Sequence, residues 1–590
     1  PLAADPFALG VASGRPMAGS VVLWTRLIAA GEAGEQLTAP IPVDWTIAED
    51  EAMRRVVGRG QAMAEARWAH SVHVEVGGLK PNRPYWYRFT VRGKASSVAR
   101  TRTAPDAGER LSDLRFVFAS CQQYEQGYYT AYRHMAAEEA AFVLHLGDYI
   151  YEKSWGRDLV RRHRGGRTTT LDEYRDRYAQ YKSDRDLQAA HAAFPWVVTW
   201  DDHEVDDDYT DDISPQEPDR ARFIAQRAAA YQAFWEHMPL PLSLRPQGPS
   251  LRLYDRYRFG DLAEFHVLDE RQYRSHHACR AALPRNKVMR ECAERLDPAR
   301  TMLGAAQEAW LADGLARAST TWNVIAQQTL MAQVDRGDGE HRAFWHDGWD
   351  GYAPARQRLL QTVSQRRIPG CVVLGGDVHA TYVADLKVDP MAPGSPRVAT
   401  EFCGTSISSH GWEQKRTDAL LEMYPHLRYG RADERGYLSF RAEPGQLRVQ
   451  IQSVLAKAWP HLRAWLIVFH LTAILLMAIL VAVLGVGLVT WRADEAARAD
   501  RQELLCLERV EATAAAAALV PDVAVDEQEV LTRHGPVPTA PGPHAAPGQT
   551  PPAARVFGPL ATRSNAPGRH HDNHRAALLA SQRAHAELAQ

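Results

Sequence analysis

The sequence predicts an α/β protein with an antiparallel β-sandwich ahead of the α/β unit and an extension of a different kind behind it. Three observations lead there. Up to Thr103, short β-type runs at regular spacing are separated by turn residues. From Leu111 onward, short apolar runs alternate with helical stretches, and those runs repeatedly end in polar clusters. Beyond Ala456 the alternation stops, and residues 465–491 form an almost unbroken apolar stretch. The expected units are residues 1–106 for the sandwich, 111–455 for the α/β unit and 456–590 for the extension.

In the first unit, residues 20–25, 43–47 and 71–76 read as strands. Residues 78–89, with Pro81, Pro84, Tyr85 and Tyr87, resemble the turn and tyrosine strand that close one corner of fibronectin-type sandwiches. No cluster of chemically active groups appears there, so a structural or substrate-shaping cap is expected. Residues 103–108 make a short linker. The α/β unit opens on Phe116-Val117-Phe118-Ala119, an apolar run of the kind that makes a buried parallel strand, which ends at Ser120-Cys121. Residues 129–140 are helical in composition, and residues 142–146 form a second run closed by Gly147-Asp148-Tyr149-Ile150-Tyr151-Glu152. A right-handed βαβ unit would bring Cys121, Asp148 and Tyr151 out together at the carboxyl edge of the sheet, where open α/β sheets hold ligands. Later runs end in Asp201-Asp202-His203-Glu204, Asp269-Glu270-Arg271, Gln327-Gln328 and Gly376-Asp377-Val378-His379.

A single aspartate at a strand end is ordinarily a helix cap or a turn residue. Several oxygen- or sulfur-rich ends in one unit need another account, because burying carboxylates side by side costs several kcal/mol per ion unless cations neutralise them. Hard cations favour carboxylate oxygens, whereas a thiolate, a phenolate and an imidazole together suit a more acidic transition metal such as ferric iron. A site for more than one metal ion is therefore expected. The run Asp206-Asp207-Asp208 reads as a solvated loop.

Gly147-Asp148-x-x-Tyr151, Asp202-His203-Glu204 and Gly376-Asp377-x-His379 resemble the spaced blocks of the calcineurin-like metallophosphoesterases, and in detail those of the PhoD-type alkaline phosphatases and phosphodiesterases. The likeness also takes in residues 118–124, 145–152 and 194–205, Ala326-Gln327-Gln328 and the stretch through Arg26, and covers roughly residues 1 to 455. It implies a metallophosphoesterase-type α/β sandwich behind an immunoglobulin- or fibronectin-like β-sandwich. By the same resemblance, Cys121 takes the place of an aspartate of the purple acid phosphatases, Asp148 bridges metals, and Tyr151 and His379 ligate Fe3+. Asp202 and Asp377 replace the usual Asn and His, an oxygen-rich exchange that favours Ca2+. His203 is implied as proton donor to the leaving alkoxide or as a phosphate contact, with a histidine behind the metal ligands as the alternative. Arg271 resembles the phosphate-facing arginine, although Glu270 stands where a threonine is expected. The implied reaction is hydrolysis of organic phosphoesters by metal-activated water, serving phosphate acquisition. A phosphodiesterase for lipid or cell-wall polymers and an inactive surface binding protein are the alternatives.

With 69 Lys+Arg against 71 Asp+Glu, the formal charge is −2, which argues against a nucleic-acid partner. The expected partner is a small-molecule or polymeric phosphoester, and the expected state is a monomer. Of the six cysteines, Cys279 and Cys292 flank an Arg-rich insertion that a bridge between them could close, or they stay free. The chain starts at Pro1 rather than Met, as a mature exported chain does after loss of a leader. Residues 465–491, bounded by Arg463 and Arg492 with tryptophans at both ends, read as a transmembrane helix. A buried helix and a frameshift or fusion junction are the other readings. The tail beyond Val520 reads as mostly disordered, and its His570, His571 and His574 as solvated.

Overall fold

The computed structural model describes residues 2–455, apart from 30–37, 291, 338–340 and 393, together with residues 507–512 and 530–532. The apolar segment 465–491, most of the tail and its histidine group lie outside the described residues. Among the described residues, no helix is long and apolar enough to cross a membrane.

The core is set by two large sheets. The central strands of the first are Leu114–Ala119, Phe142–Leu146 and Pro195–Thr199, hydrogen-bonded in that order and all parallel. Glu434–Glu443 and Gln446–Leu455 extend this sheet antiparallel on one side. The second is a seven-stranded sheet whose middle strands, Ala263–Val267, Trp322–Ala326, Cys371–Gly375 and Arg397–Cys403, also run parallel. Strand pleating sorts the side chains. Phe116, Phe118, Leu144 and Leu146 point inward to Phe265, Val267, Val324 and Val372 of the facing sheet, while Val117, Ala119, Val143 and Trp196 point outward to a helical layer. Both faces of these strands are buried, so their sequences read as unbroken apolar runs rather than alternating ones.

Helices Leu171–Lys182, Arg185–Ala193 and Arg220–His237 cover the outer face of the first sheet, and Gly304–Ala316 and Ala353–Arg366 that of the second. The first of these starts on a capping box: Thr170 accepts from the Glu173 N–H and Glu173 returns the bond to the Thr170 N–H. The crossover helix is shorter than its composition suggests, spanning Thr130–Met135 rather than residues 129–140. Glu138 leaves the helical path to accept a hydrogen bond from the Tyr437 hydroxyl at 3.0 Å, and tertiary contact overrides local propensity there.

The N-terminal segment does not form a sheet pair of its own. Val11–Met17 pairs in parallel with Pro195–Thr199, and Ser20–Arg26 and Ser71–Val76 follow it, so three of its strands prolong the first large sheet. A separate sheet holding Ile41–Ala48, Val56–Ala64 and Pro84–Val91 packs against them through Leu23, Val74, Val43, Tyr87 and Phe89. Tyr85 turns its hydroxyl back to accept the Lys80 N–H at 2.9 Å. Cys279 and Cys292 form a disulfide.

Between the two large sheets, Phe116 stacks on Phe142 and Phe440 at 5.4 and 4.6 Å and meets Phe265 edge-on at 4.9 Å. Four rings locked together leave no neighbour free to fill a void, so Phe116→Ala should destabilise by about 3–5 kcal/mol. Denaturant unfolding checks this; a loss under about 1 kcal/mol would show that the sheets collapse onto the gap.

Candidate metal centre

Each group of candidate residues is delivered by the turn after a parallel strand, and the backbone at these turns is unusual. Cys121, Asp148, Asp377 and His379 all adopt left-handed conformations, with φ of 58°, 57°, 63° and 52°. For residues other than glycine such conformations are uncommon, and they concentrate where side chains must be aimed at a common point. The turns are also tied to one another. The Cys121 N–H donates to the Gly147 carbonyl at 3.1 Å, and the Glu204 carboxylate accepts the N–H groups of Asp148, Tyr149 and Asp201. Gly147, at φ 97°, lets two turns touch: a Cβ there would lie 2.4 Å from Asp201 Cβ.

The result is a continuous buried cluster. Ligand atoms of Cys121, Asp148 and His379 lie within 4.8 Å of one another, as do those of Asp148, Asp201, Asp202 and Asp377, and those of Asp148, Asp202 and His203. Tyr151 joins the first group: its hydroxyl donates to Asp148 Oδ2 at 2.9 Å, accepts from Ser409 Oγ at 2.7 Å and lies 3.2 Å from His379 Nε2. The structure thus brings Cys121, Asp148, Tyr151, Asp202, His203, Asp377 and His379 together.

Arg271 lies fully buried at the border of the cluster. Its Nε donates to Asp201 and one Nη to Asp347, while the other Nη points between Asp202 and Asp377 at 3.6 and 3.9 Å without a hydrogen-bond partner. Glu270 beside it accepts from the Thr329 N–H and hydroxyl at 3.2 and 3.0 Å. His203 Nδ1 is 2.7 Å from Glu152 Oε2, and its ring stacks on Tyr151 at 4.2 Å. Burial pulls the His203 pKa down, but Glu152, Asp202 and Asp148 outweigh it and hold the ring well above the ordinary histidine range, so it carries a proton.

These residues fit metal ions on two grounds. Asp148 Oδ1, Asp201 Oδ2, Asp202 Oδ1 and Asp377 Oδ2 are buried with no hydrogen-bond partner, which is costly for anionic oxygens unless a cation meets them. Burial pushes the Asp148 and Asp377 carboxyls well above the usual range and neighbouring carboxylates add to it, more than His203 and Arg271 offset. The donors also separate by softness. The sulfur of Cys121, the phenol of Tyr151 and the imidazole of His379 sit on one side of Asp148, and a carboxylate-rich group with His203 beside it on the other. Burial holds His379 down to about 3, a neutral ring with Nδ1 fixed 2.8 Å from the His410 carbonyl and Nε2 turned to the cluster.

Several participants do not stand out in the sequence. Asp201 lies in the cluster beside Asp202, and Asp347 anchors Arg271, Arg274 and His277 from the bend after the two-residue strand Phe344–Trp345. The expectation that residues 206–208 form a solvated loop is wrong. Asp206 is buried and paired with Arg167, and Asp208 faces Asp202 and Asp347 and pairs with Lys287 at 2.8 Å. Charge runs usually mark solvated surface, but here Arg167 and Lys287 supply the countercharge that permits burial.

Comparison with known proteins places this arrangement. The model of the PhoD-like phosphatases matches residues 116–451, and that of their N-terminal domain matches residues 1–105. The chain belongs to the PhoD-like phosphatase family. It is 45% identical over 450 residues to alkaline phosphatase D of Bacillus subtilis (strain 168), covering 75% of this chain and 76% of that protein. The solved structure of PhoD is similar at a TM-score of 0.74 with 42% identity, over 78% of this chain and 89% of that one.

Because Gly147 sits between the turns that carry Asp148 and Asp201, Gly147→Ala should force them apart and lower kcat roughly 100-fold or more, the scale of a 1 Å misplacement. Steady-state kinetics alongside thermal unfolding checks this. Near-native kcat would mean that the contact with Asp201 is dispensable.

Proposed function

We infer that this chain is a metal-dependent phosphoric ester hydrolase, an alkaline phosphatase or phosphodiesterase that releases phosphate from organic phosphoesters. Family membership carries the reaction class. The observation that carries the mechanism is the set of unpartnered buried carboxylate oxygens around Asp148. On this reading Cys121, Tyr151, His379 and Asp148 hold Fe3+, while Asp148, Asp202 and Asp377, with Asp201 beside them, hold Ca2+. When bound, such ions would supply Lewis-acid charge for the phosphoryl oxygens and acidify water. The rest falls to the protein. Glu152 orients His203 and keeps it protonated, ready to give a proton to the departing alkoxide. Asp201 and Asp347 hold the Arg271 guanidinium with one free Nη toward the carboxylates, positioned for a phosphoryl oxygen. Lys153 is bonded to Asp207 at 2.7 Å, and the Trp155 ring lies 5.3 Å from that of Tyr151, beside the cluster.

The Cys279–Cys292 disulfide suits an oxidising compartment and supports export, with residues 465–491 as the proposed membrane anchor. The domain limits 1–106, 111–455 and 456–590 are retained as a division of labour: a cap, a catalytic unit and an attachment segment.

Elemental analysis of the purified enzyme should find iron together with calcium, and Tyr151→Phe should abolish a visible tyrosinate-to-iron band. Stoichiometric zinc without iron in active enzyme would overturn the metal assignment.

His203→Ala should keep its metals and lose far more rate on esters with poor alkoxide leaving groups than on nitrophenyl esters, since only the former need a proton in the transition state. Asp148→Ala should lose metal and turnover on every substrate alike. Equal losses on good and poor leaving groups in metal-replete His203→Ala would reject the general-acid role.

A further inference from the structure

The metal centre is enclosed, so a substrate reaches it only past side chains that touch it and are open to solvent. Tyr151, Arg271, Asp202 and His203 are buried. Around them, the side chains of Lys153, Asp207 and Asp377 are 24, 30 and 14% exposed, and Trp155 is half-buried. Of these four, Trp155 alone offers an apolar surface. Its ring centre lies 5.3 Å from that of Tyr151, 5.5 Å from that of His203 and 5.7 Å from that of His379, so one indole rests against two candidate iron ligands and the candidate proton donor. An outer loop brings it there. The Thr168 N–H closes that loop on the Glu152 carbonyl at 2.9 Å, and Ser154 and Gly156, on either side of Trp155, are exposed.

Charge does not discriminate at this spot. Glu152 bonds to the protonated His203 at 2.7 Å, and Lys153 lies between Glu152 and Asp207 at 3.4 and 2.7 Å, so two cations meet two anions. Orientation does. Glu152 occupies Nδ1 of His203, which leaves Nε2 to give the proton, and Nε2 is turned toward the part-exposed Asp207, 3.8 Å away. An alkoxide oxygen bonded to Nε2 sits about 2.8 Å from it, and the organic group on that oxygen starts beside the ring that the indole touches. A flat, neutral group gains most there, since aromatic rings attract one another in offset-stacked or edge-on contact.

We propose that Trp155 is a specificity-determining residue: its indole receives the leaving group of the phosphoester and favours a neutral planar ring, aryl or heteroaryl, over a small aliphatic group. Trp155 can act this way only if the chain is the phosphoesterase inferred above and His203 faces the leaving oxygen.

The test titrates the metal-loaded protein calorimetrically with three non-hydrolysable compounds: phenylphosphonate, methylphosphonate and 2-(trimethylammonio)ethylphosphonate. The parent should prefer the phenyl compound, and Trp155→Ala should cut the phenyl-over-methyl preference roughly tenfold, with Trp155→Phe regaining most of it. In turnover, Trp155→Ala should raise KM for phenyl phosphate more than it lowers kcat, because stacking holds the ground state and the transition state alike. An unchanged phenyl-over-methyl preference in a Trp155→Ala protein that keeps its metals would overturn the proposal. So would a loss that falls mainly on the trimethylammonium compound, which would assign the indole to a cationic head group. Loss of metal from both variants would mark Trp155 as a brace for the centre and overturn it as well. If the parent binds neither the phosphonates nor inorganic phosphate, the phosphoesterase reading falls first, and this assignment with it.

Discussion

The electrostatic cost of gathering carboxylates in one buried place governs this structure. The buried Asp148, Asp201, Asp202 and Asp347 converge with the partly exposed Asp377 where two sheets end, and water screens them little there. The protein settles only part of that charge. Arg271 and Arg274 neutralise Asp347 and one oxygen of Asp201, and Lys287 neutralises Asp208. The oxygens facing inward around Asp148 accept no hydrogen bond from the chain and feel positive charge only from one Arg271 Nη at 3.6–3.9 Å and from His203, which divides the cluster into a paired rim and a less compensated centre.

Holding such a centre open requires stiffness behind it. The four left-handed residues each carry strain of about 1–3 kcal/mol, tolerable only when the surroundings over-determine the turn. Much of that support is backbone accounting. The Gln328 amide donates to Thr199 Oγ1 and to the Trp200 and Leu268 carbonyls at 2.8–3.0 Å, stitching the end of one sheet to the end of the other. Glu204 does the same for three N–H groups of the neighbouring turns. Phe265 of the facing sheet, set edge-on to Phe116 and Phe142 at 4.9 and 5.2 Å, fixes the distance between the sheets, so the strand ends have little freedom to drift under repulsion.

Much of this was legible in the sequence, for identifiable reasons. Doubly buried parallel strands leave continuous apolar runs, so the ends of residues 116–119, 142–146 and 371–374 were visible, and with them Cys121, Asp148, Asp377 and His379. Residues whose role depends on who comes to meet them were not. Asp347 follows only the two-residue strand Phe344–Trp345, too short to stand out in the sequence, and its importance rests on Arg271 and Arg274, both more than 70 positions away in sequence. Residues 206–208 gave a composition signal that pointed the wrong way, because local charge density cannot reveal that Arg167 and Lys287 will close over it. The merging of the N-terminal strands into the catalytic sheet was likewise hidden, since strand propensity says nothing of which partner a strand will choose.

That merger reaches into how the molecule is made. Ser13 lies opposite Pro195, so the first strand of the chain has to wait for about 180 further residues to be synthesised before its parallel neighbour exists. Until then the hairpin of Val11–Met17 and Ser20–Arg26 presents an unpaired edge, the kind of surface that recruits other chains. Val11–Met17 therefore completes its pairing only after residues 195–199 have emerged, and aggregation during synthesis competes most strongly in that interval.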